Sequence, residues 1–333
     1  MAKVKALYGF SPELEPFRSL RPGQMVNLLR HWGADAVFGG YQDEGFVAAA
    51  HGAGLPVYAE FGCFVRQQWW ETHPESRPLT AEGEPLPVVE WYAGVTPSIP
   101  AVREGLLEQL GWLVREHDVD GVWLDFIRWP SRWESPQPRL YQTSFDPISL
   151  RLFSQETGLD LPEREPQAAA ALILARHAAA WTAWKCRQIT SWVAQARQVV
   201  AAQARRPCLL GLFGVPWPRD EREGAITRIM GQDFAALGAH VDVFSPMVYH
   251  RMCGRPVSWV AEIADHVGQL SGKPVWPIIQ TMSQPDALSD GEFAQAMDAA
   301  LESPGSSGVV LYNLKGAVDE GRLDAIRQRF ARP

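Results

Sequence analysis

Along the 333 residues, short apolar runs alternate with longer stretches of helical spacing from one end to the other. The runs Lys5 to Phe10, Ala34 to Gly39, Leu55 to Phe61, Gly121 to Phe126, Cys208 to Phe213, Val241 to Tyr249, Pro274 to Ile279 and Gly308 to Asn313 read as eight strands. They are apolar almost throughout and bounded by turn residues, the pattern of parallel strands buried on both faces. Between them, the periodic segments predict helices over Pro22 to Trp32, Glu44 to Ala53, Ile99 to Glu116, Pro147 to Thr157 and Gln167 to Ala204. Further helices are predicted near Ala225 to Leu237, Val257 to Leu270, Asp290 to Leu301 and Arg322 to Phe330. Ile99 to Glu116 is the clearest, with Val102, Leu106, Leu110 and Leu113 on one face. The stretch Gln67 to Pro100 has no period, and a loop of that length in a compact domain usually carries function.

Eight strands, each followed by a helical crossover, is the count of an α/β (β/α)8 TIM barrel with long βα loops at its C-terminal face. A doubly wound open sheet competes, but no glycine-rich dinucleotide loop follows the first strand. No low-complexity linker divides the chain, so one catalytic barrel over residues 1–333 is expected.

Composition narrows the chemistry. Hydrophobic residues make up 46% and charged residues 21%, enough for a large core. The formal charge of −7, with no basic cluster beyond pairs such as Arg205-Arg206, argues against a nucleic-acid partner. No apolar run is long enough for a membrane span and no signal-peptide core is visible, so the expected location is cytoplasmic unless a signal was removed. The four cysteines, Cys63, Cys186, Cys208 and Cys253, lack CxxC spacing and read as isolated thiols. Neither a metal nor an organic cofactor is implied.

Fourteen tryptophans exceed what a core needs. Trp181, Trp184 and Trp192 fall on helical faces and read as core. Trp69, Trp70, Trp91, Trp129 and Trp133 fall in loops and are candidate platforms for sugar rings.

The strand ends name the candidate site, because a barrel places its chemistry there. Glu60 ends strand three; Asp125 and Arg128 end strand four. The loop after strand five brings Trp217, Asp220, Glu221 and Glu223, strand six Tyr249 and His250, strand seven Gln280, and strand eight Tyr312 and Asn313. Carboxylates, amides, an arginine and tryptophan suit a sugar-cleaving pocket, where glycosidic cleavage takes one protonated carboxyl and one ionised base or nucleophile. Asp125, beside Arg128, is the candidate ionised partner. Glu60 and Asp220 stand equally as the acid, with Glu221 behind them. Plainer readings exist for each: Asp125 as a turn cap, Glu60 paired with Arg66, the acids from Asp220 to Glu223 as a solvated charged loop, and His250 as a hydrogen-bonding group.

At these residues the sequence resembles a known family. The phrase Asp120-Gly121-Val122-Trp123-Leu124-Asp125-Phe126-Ile127-Arg128-Trp129-Pro130 resembles the fourth-strand motif of glycosyl hydrolase (β/α)8 barrels of the family-10-like and α-amylase-like kind. Tyr58-Ala59-Glu60-Phe61, the helix from Pro97 to His117 and Ser245-Pro246-Met247-Val248-Tyr249-His250 are similar to the same family, in order along nearly the whole chain. The resemblance implies a glycosidase acting on an oligo- or polysaccharide. Asp125 takes the place of the strand-four nucleophile of α-amylase-like barrels, from which a modest preference for α-linked substrates follows. Chitinase-like barrels fit less well: Ile127 stands where they carry the catalytic glutamate, and His250 where they carry an aspartate. Arg128, Trp129, Tyr249, His250, Gln280, Trp217, Trp69, Trp91, Glu221 and Asn313 are then the expected sugar-binding residues. Two other classes remain open: a carbohydrate-binding barrel without catalysis, and a non-glycosidic hydrolase or lyase acting on an acidic sugar.

Overall fold

The computed structural model describes residues 3–89 and 92–332. Eight strands, β1 (Val4–Phe10), β2 (Ala36–Gly39), β3 (Val57–Gly62), β4 (Gly121–Asp125), β5 (Leu209–Gly214), β6 (Val243–Pro246), β7 (Ile278–Gln280) and β8 (Gly308–Tyr312), form one parallel sheet. From β1 to β6 each strand pairs with the next, and β8 pairs with both β7 and β1. The remaining seam, β6 to β7, is held by two isolated parallel bridges, Phe244 to Val275 and Met247 to Ile278. The result is the expected (β/α)8 barrel, nearly closed, with helices around it.

The predicted strands and helices recur within a few residues, with informative exceptions. The segment expected as a helix over Ala225 to Leu237 is two single turns, Ala225–Arg228 and Phe234–Leu237. Gly231 at φ 68° breaks the period, and Asp233 starts the second turn by accepting from the amides of Ala235 and Ala236. Gln167 to Ala204 divides at His177 into Pro166–Arg176 and a 26-residue helix, Ala178–Gln203. Two short helices, Gln67–Thr72 within the stretch read as aperiodic and Leu314–Asp319, were not foreseen.

The barrel interior is aromatic. Trp123 on β4 projects inward between Tyr58 (4.7 Å between ring centroids), Phe38 (4.9 Å) and Trp276 (5.3 Å), and its indole N–H donates to Ser245 Oγ at 3.0 Å. Gly211 on β5 makes the room: a Cβ there would lie 2.0 Å from Trp123 Cε2. This floor closes the barrel below its C-terminal mouth, so whatever binds must enter from the loop side. Trp181, Trp184 and Trp192 are buried, as expected, Trp192 against Phe61 of β3 and the other two against Phe153 of the helix Pro147–Thr157. Among the described residues, no helix is long and apolar enough to cross a membrane. The four cysteines are unpaired thiols.

Candidate active site

Above the aromatic floor lies a cavity of about 460 Å³, walled by the ends of the strands and by the loops after β3 and β4. Tyr8, Phe213, Tyr249 and Tyr312 form its aromatic side. Neighbouring rings run from Phe213 to Tyr8 (5.9 Å), Tyr8 to Tyr312 (5.0 Å) and Tyr312 to Tyr249 (5.4 Å). Opposite them stand three carboxyls, Glu60 from β3, Asp125 from β4 and Glu134 from the loop beyond β4.

Parallel pairing explains the first two. Glu60 is in register with Trp123 and Gly62 with Asp125, so the two acids leave adjacent strands at the same rim. Their carboxyls hydrogen-bond to each other, and Glu60 is the more strongly raised of the two. Burial, then the charge of Asp125 and this hydrogen bond, push Glu60 up to about 8, against a smaller opposing pull from Arg66. Burial also raises Asp125, to about 6. Arg128 pulls Asp125 down, as the sequence suggests, and so does the Phe126 N–H, which donates to Asp125 Oδ1 at 2.7 Å; desolvation outweighs both. The cap reading of Asp125 is therefore also true, since the same carboxylate holds the turn and faces the cavity. Near pH 7 the pair shares one proton, the arrangement of two carboxyls too close to ionise together. The turn itself is tight: Phe126 sits at φ 49°, a left-handed conformation that costs a bulky residue on the order of 1–3 kcal/mol and concentrates at functional sites.

Two loops are tied together over this pair. Tyr92, from the loop after β3, accepts from Ser131 N at 2.9 Å and donates to Ser131 O at 3.1 Å. Gln232 fixes the turn after β4 from behind, donating to Ile127 O and accepting from Val215 N.

Of the residues expected at the site, Glu60, Asp125, Tyr249 and Tyr312 meet at the cavity. Others are placed elsewhere. Asp220 is exposed on the loop after β5, beside His266, and Glu221 is engaged by Arg255 and Arg222 away from the cavity. The cause is local: beyond Gly214 the chain stays buried through Trp217, which is 2% exposed, and delivers its charged turn to the outer side of the barrel. Arg128 is 1% exposed behind Phe126, 3.7 Å from Glu134 Oε1, and does not reach the cavity wall. Trp129 is wholly buried, its indole N–H on Lys185 O at 3.1 Å, so it is core and no platform. His250 is buried against Glu292 (3.2 Å), and the Gln280 amide is spent on Met252 N and Met282 O. Asn313 caps the helix Leu314–Asp319 through Gly316 N at 2.7 Å. Trp69 packs on the helix Pro100–Glu116 at Gly105 and stacks on His73 at 4.3 Å. Trp91 lies outside the described residues.

Sequence reading missed Glu134, Arg132, Tyr8, Tyr92 and Phe213 as cavity residues. Tyr8 and Phe213 carry a usable signal, since side chains alternate along a strand and every second one faces the barrel interior. Glu134, nine residues beyond Asp125 in an irregular loop, carries none. Among the described residues, no group of three or more His, Cys, Asp and Glu is placed to hold a metal ion.

No family profile and no curated protein matches the chain by sequence. Its structural neighbours are glycoside hydrolases. It is similar to the glycoside hydrolase domain of PgaB (BpsB) from Bordetella bronchiseptica, with a TM-score of 0.74 and 15% sequence identity over 100% of this chain and 99% of that one. It is also similar to β-galactosidase from the psychrophilic Marinomonas ef1 (TM-score 0.66, 14% identity, 94% of this chain and 54% of that one). A third likeness is to α-L-fucosidase isoenzyme 2 from Paenibacillus thiaminolyticus (TM-score 0.60, 12% identity, 99% and 49%). The chain thus spans about the whole of the first neighbour and about half the length of the other two, and at these identities the shared property is the barrel fold.

Proposed function

We propose that the protein is a glycoside hydrolase whose reaction centre is the Glu60–Asp125 pair. The observation that carries this reading is the pair itself: two carboxyls from adjacent strands share a proton at the rim of an aromatic-walled barrel cavity. Their environments hold one protonated and one ionised near neutrality, the two forms that glycosidic cleavage uses. Glu60 is the general acid that protonates the leaving oxygen, and Asp125 is the nucleophile or the base that activates water. Tyr8, Tyr249 and Tyr312 offer ring faces and hydroxyls to the sugar. A sugar entering between the two acids parts their hydrogen bond. The separation they then adopt, about 5–5.5 Å or about 6.5–9.5 Å, decides between retention and inversion. A modest preference for α-linked substrates follows from the position of Asp125 on strand four, and belongs to the proposal. Four unpaired thiols support a reducing, cytoplasmic setting.

One observation favours a second reading, a sugar-binding barrel without turnover: the two carboxyls are hydrogen-bond partners of each other and are not held apart around a glycosidic oxygen. Wild type and Asp125→Asn, assayed over a panel of α- and β-linked oligosaccharides, separate the two. Product from wild type, lost in Asp125→Asn with binding retained, supports the hydrolase. Binding by both with product from neither selects the binding protein.

A further inference from the structure

A second cavity, of about 450 Å³, adjoins the first and shares Tyr92, Arg132 and Glu134 with it. The two are therefore consecutive chambers of one cleft, formed by the loops after β3 and β4. Their boundary is aromatic on both sides: Trp133, in the second chamber, stacks on Tyr249, in the first, at 6.0 Å and 13° between planes.

The chambers differ in charge. The first holds Glu60 and Asp125, and Glu134 and Arg132 stand at the boundary of both. The second holds Arg132 and Arg139, both exposed, with no carboxylate partner among the described residues. Its one carboxylate among the described residues, Glu134, already has Arg128 at 3.7 Å. The Arg139 guanidinium lies 4.8 Å from the centre of the Tyr141 ring, which holds it against the wall and leaves its edge for a ligand. In a chain of net charge −7, two guanidinium groups that no described carboxylate compensates, beside an apolar, aromatic wall, make a local site for an anion carried on a ring.

We infer that the second chamber is a subsite for an acidic sugar, a uronate residue, linked to the sugar held at Glu60 and Asp125. The substrate is then an oligosaccharide lying along the cleft, with its carboxylate on Arg132 and Arg139 and a ring face on Tyr141. This rests on the glycosidase reading for the direction of the chain, but the subsite itself is a matter of binding.

The test is titration calorimetry on the full chain carrying Asp125→Asn, so that turnover plays no part. The probes are uronate oligosaccharides (oligogalacturonate, oligomannuronate, oligoglucuronate) and their neutral counterparts. One uronate series is expected to bind roughly tenfold or more tighter than its neutral counterpart at low salt, with the gap closing as ionic strength rises. Adding Arg132→Gln and Arg139→Gln, surface changes whose effect on folding a melting curve checks, is expected to remove that gap while weak neutral binding persists. Equal affinity for neutral and acidic chains, no binding of any uronate probe, or an acidic preference untouched by the double substitution overturns the subsite. Acidic preference without hydrolysis by the wild-type protein leaves the subsite standing and counts against the glycosidase.

Discussion

Strand β4 carries an aspartate at each end, five residues apart, in opposite surroundings. Asp120, entering the strand, is met by cations and donors. Arg206 Nη1 lies at 2.9 Å, His51 Nε2 at 2.9 Å and the Val57 amide at 2.8 Å, while Arg206 Nε also holds Asp118 at 2.9 Å. Asp125, leaving the strand, meets a second carboxyl and a cavity. The same residue type does two jobs. At the bottom its charge is compensated and pins β3 to β4; at the top burial, with a smaller push from Glu134 and against the Glu60 hydrogen bond, keeps it poised near neutrality. A carboxylate whose partners all satisfy it holds structure, and one whose partners leave it unsettled is available for chemistry.

The comparison breaks most visibly at Asp125. Asp125→Asn is expected to lower kcat on a cognate glycan by roughly 10²–10⁴-fold, with the melting temperature unchanged or raised because a buried charge has gone. Hydrolysis persisting at the wild-type rate would remove Asp125 from the reaction. At the other end, Asp120→Ala is expected to cost about 1–3 kcal/mol in urea unfolding, since it strands the Val57 N–H and frees Arg206, while kcat per folded molecule stays put.

The contrast also has a pH signature. With Asp125 near 6 and Glu60 near 8, activity is expected to follow a bell between those values, the limbs belonging to the pair as a whole. Glu60→Gln should erase the alkaline limb. The stability effect has the opposite sign to that of a salt-bridged acid. Glu60 is raised on folding from 4.5, so its stabilising protonation is complete below about 4.5 and is lost as pH rises through about 8. Wild type should therefore lose stability relative to Glu60→Gln over that window, read from unfolding midpoints at stepped pH. The smallest effect is expected at Asp220: Asp220→Asn should move stability by less than about 0.5 kcal/mol and leave activity unaltered.

The barrel was legible because its signals are local. Apolar runs and helical periods fix each element, and eight of them in alternation fix the topology. Glu60, Asp125, Tyr249 and Tyr312 were legible because strand ends converge whatever the loops do. The errors share one physical cause. Arg128, Trp129, His250, Gln280 and Asn313 sit at or near strand ends, but polar or aromatic groups there are equally useful for tying turns and capping helices, and here they do that. Asp220 and Glu221 failed because a loop's path depends on distant partners, here Gln232 and Arg255. Glu134 and Tyr92 were invisible for the same reason, since the loop-to-loop hydrogen bonds that bring them in have no sequence period.

The β6–β7 seam has a mechanical consequence. Every other strand pair shares a ladder of at least two consecutive residues, whereas this pair meets only at Phe244–Val275 and Met247–Ile278, and both members of the upper contact line the cavity. The hoop of hydrogen bonds that keeps the barrel's girth constant has its one slack joint beside the reaction centre. Amide exchange should be fastest there among the barrel strands, and the diameter of the mouth is set less by the barrel than by whatever fills it.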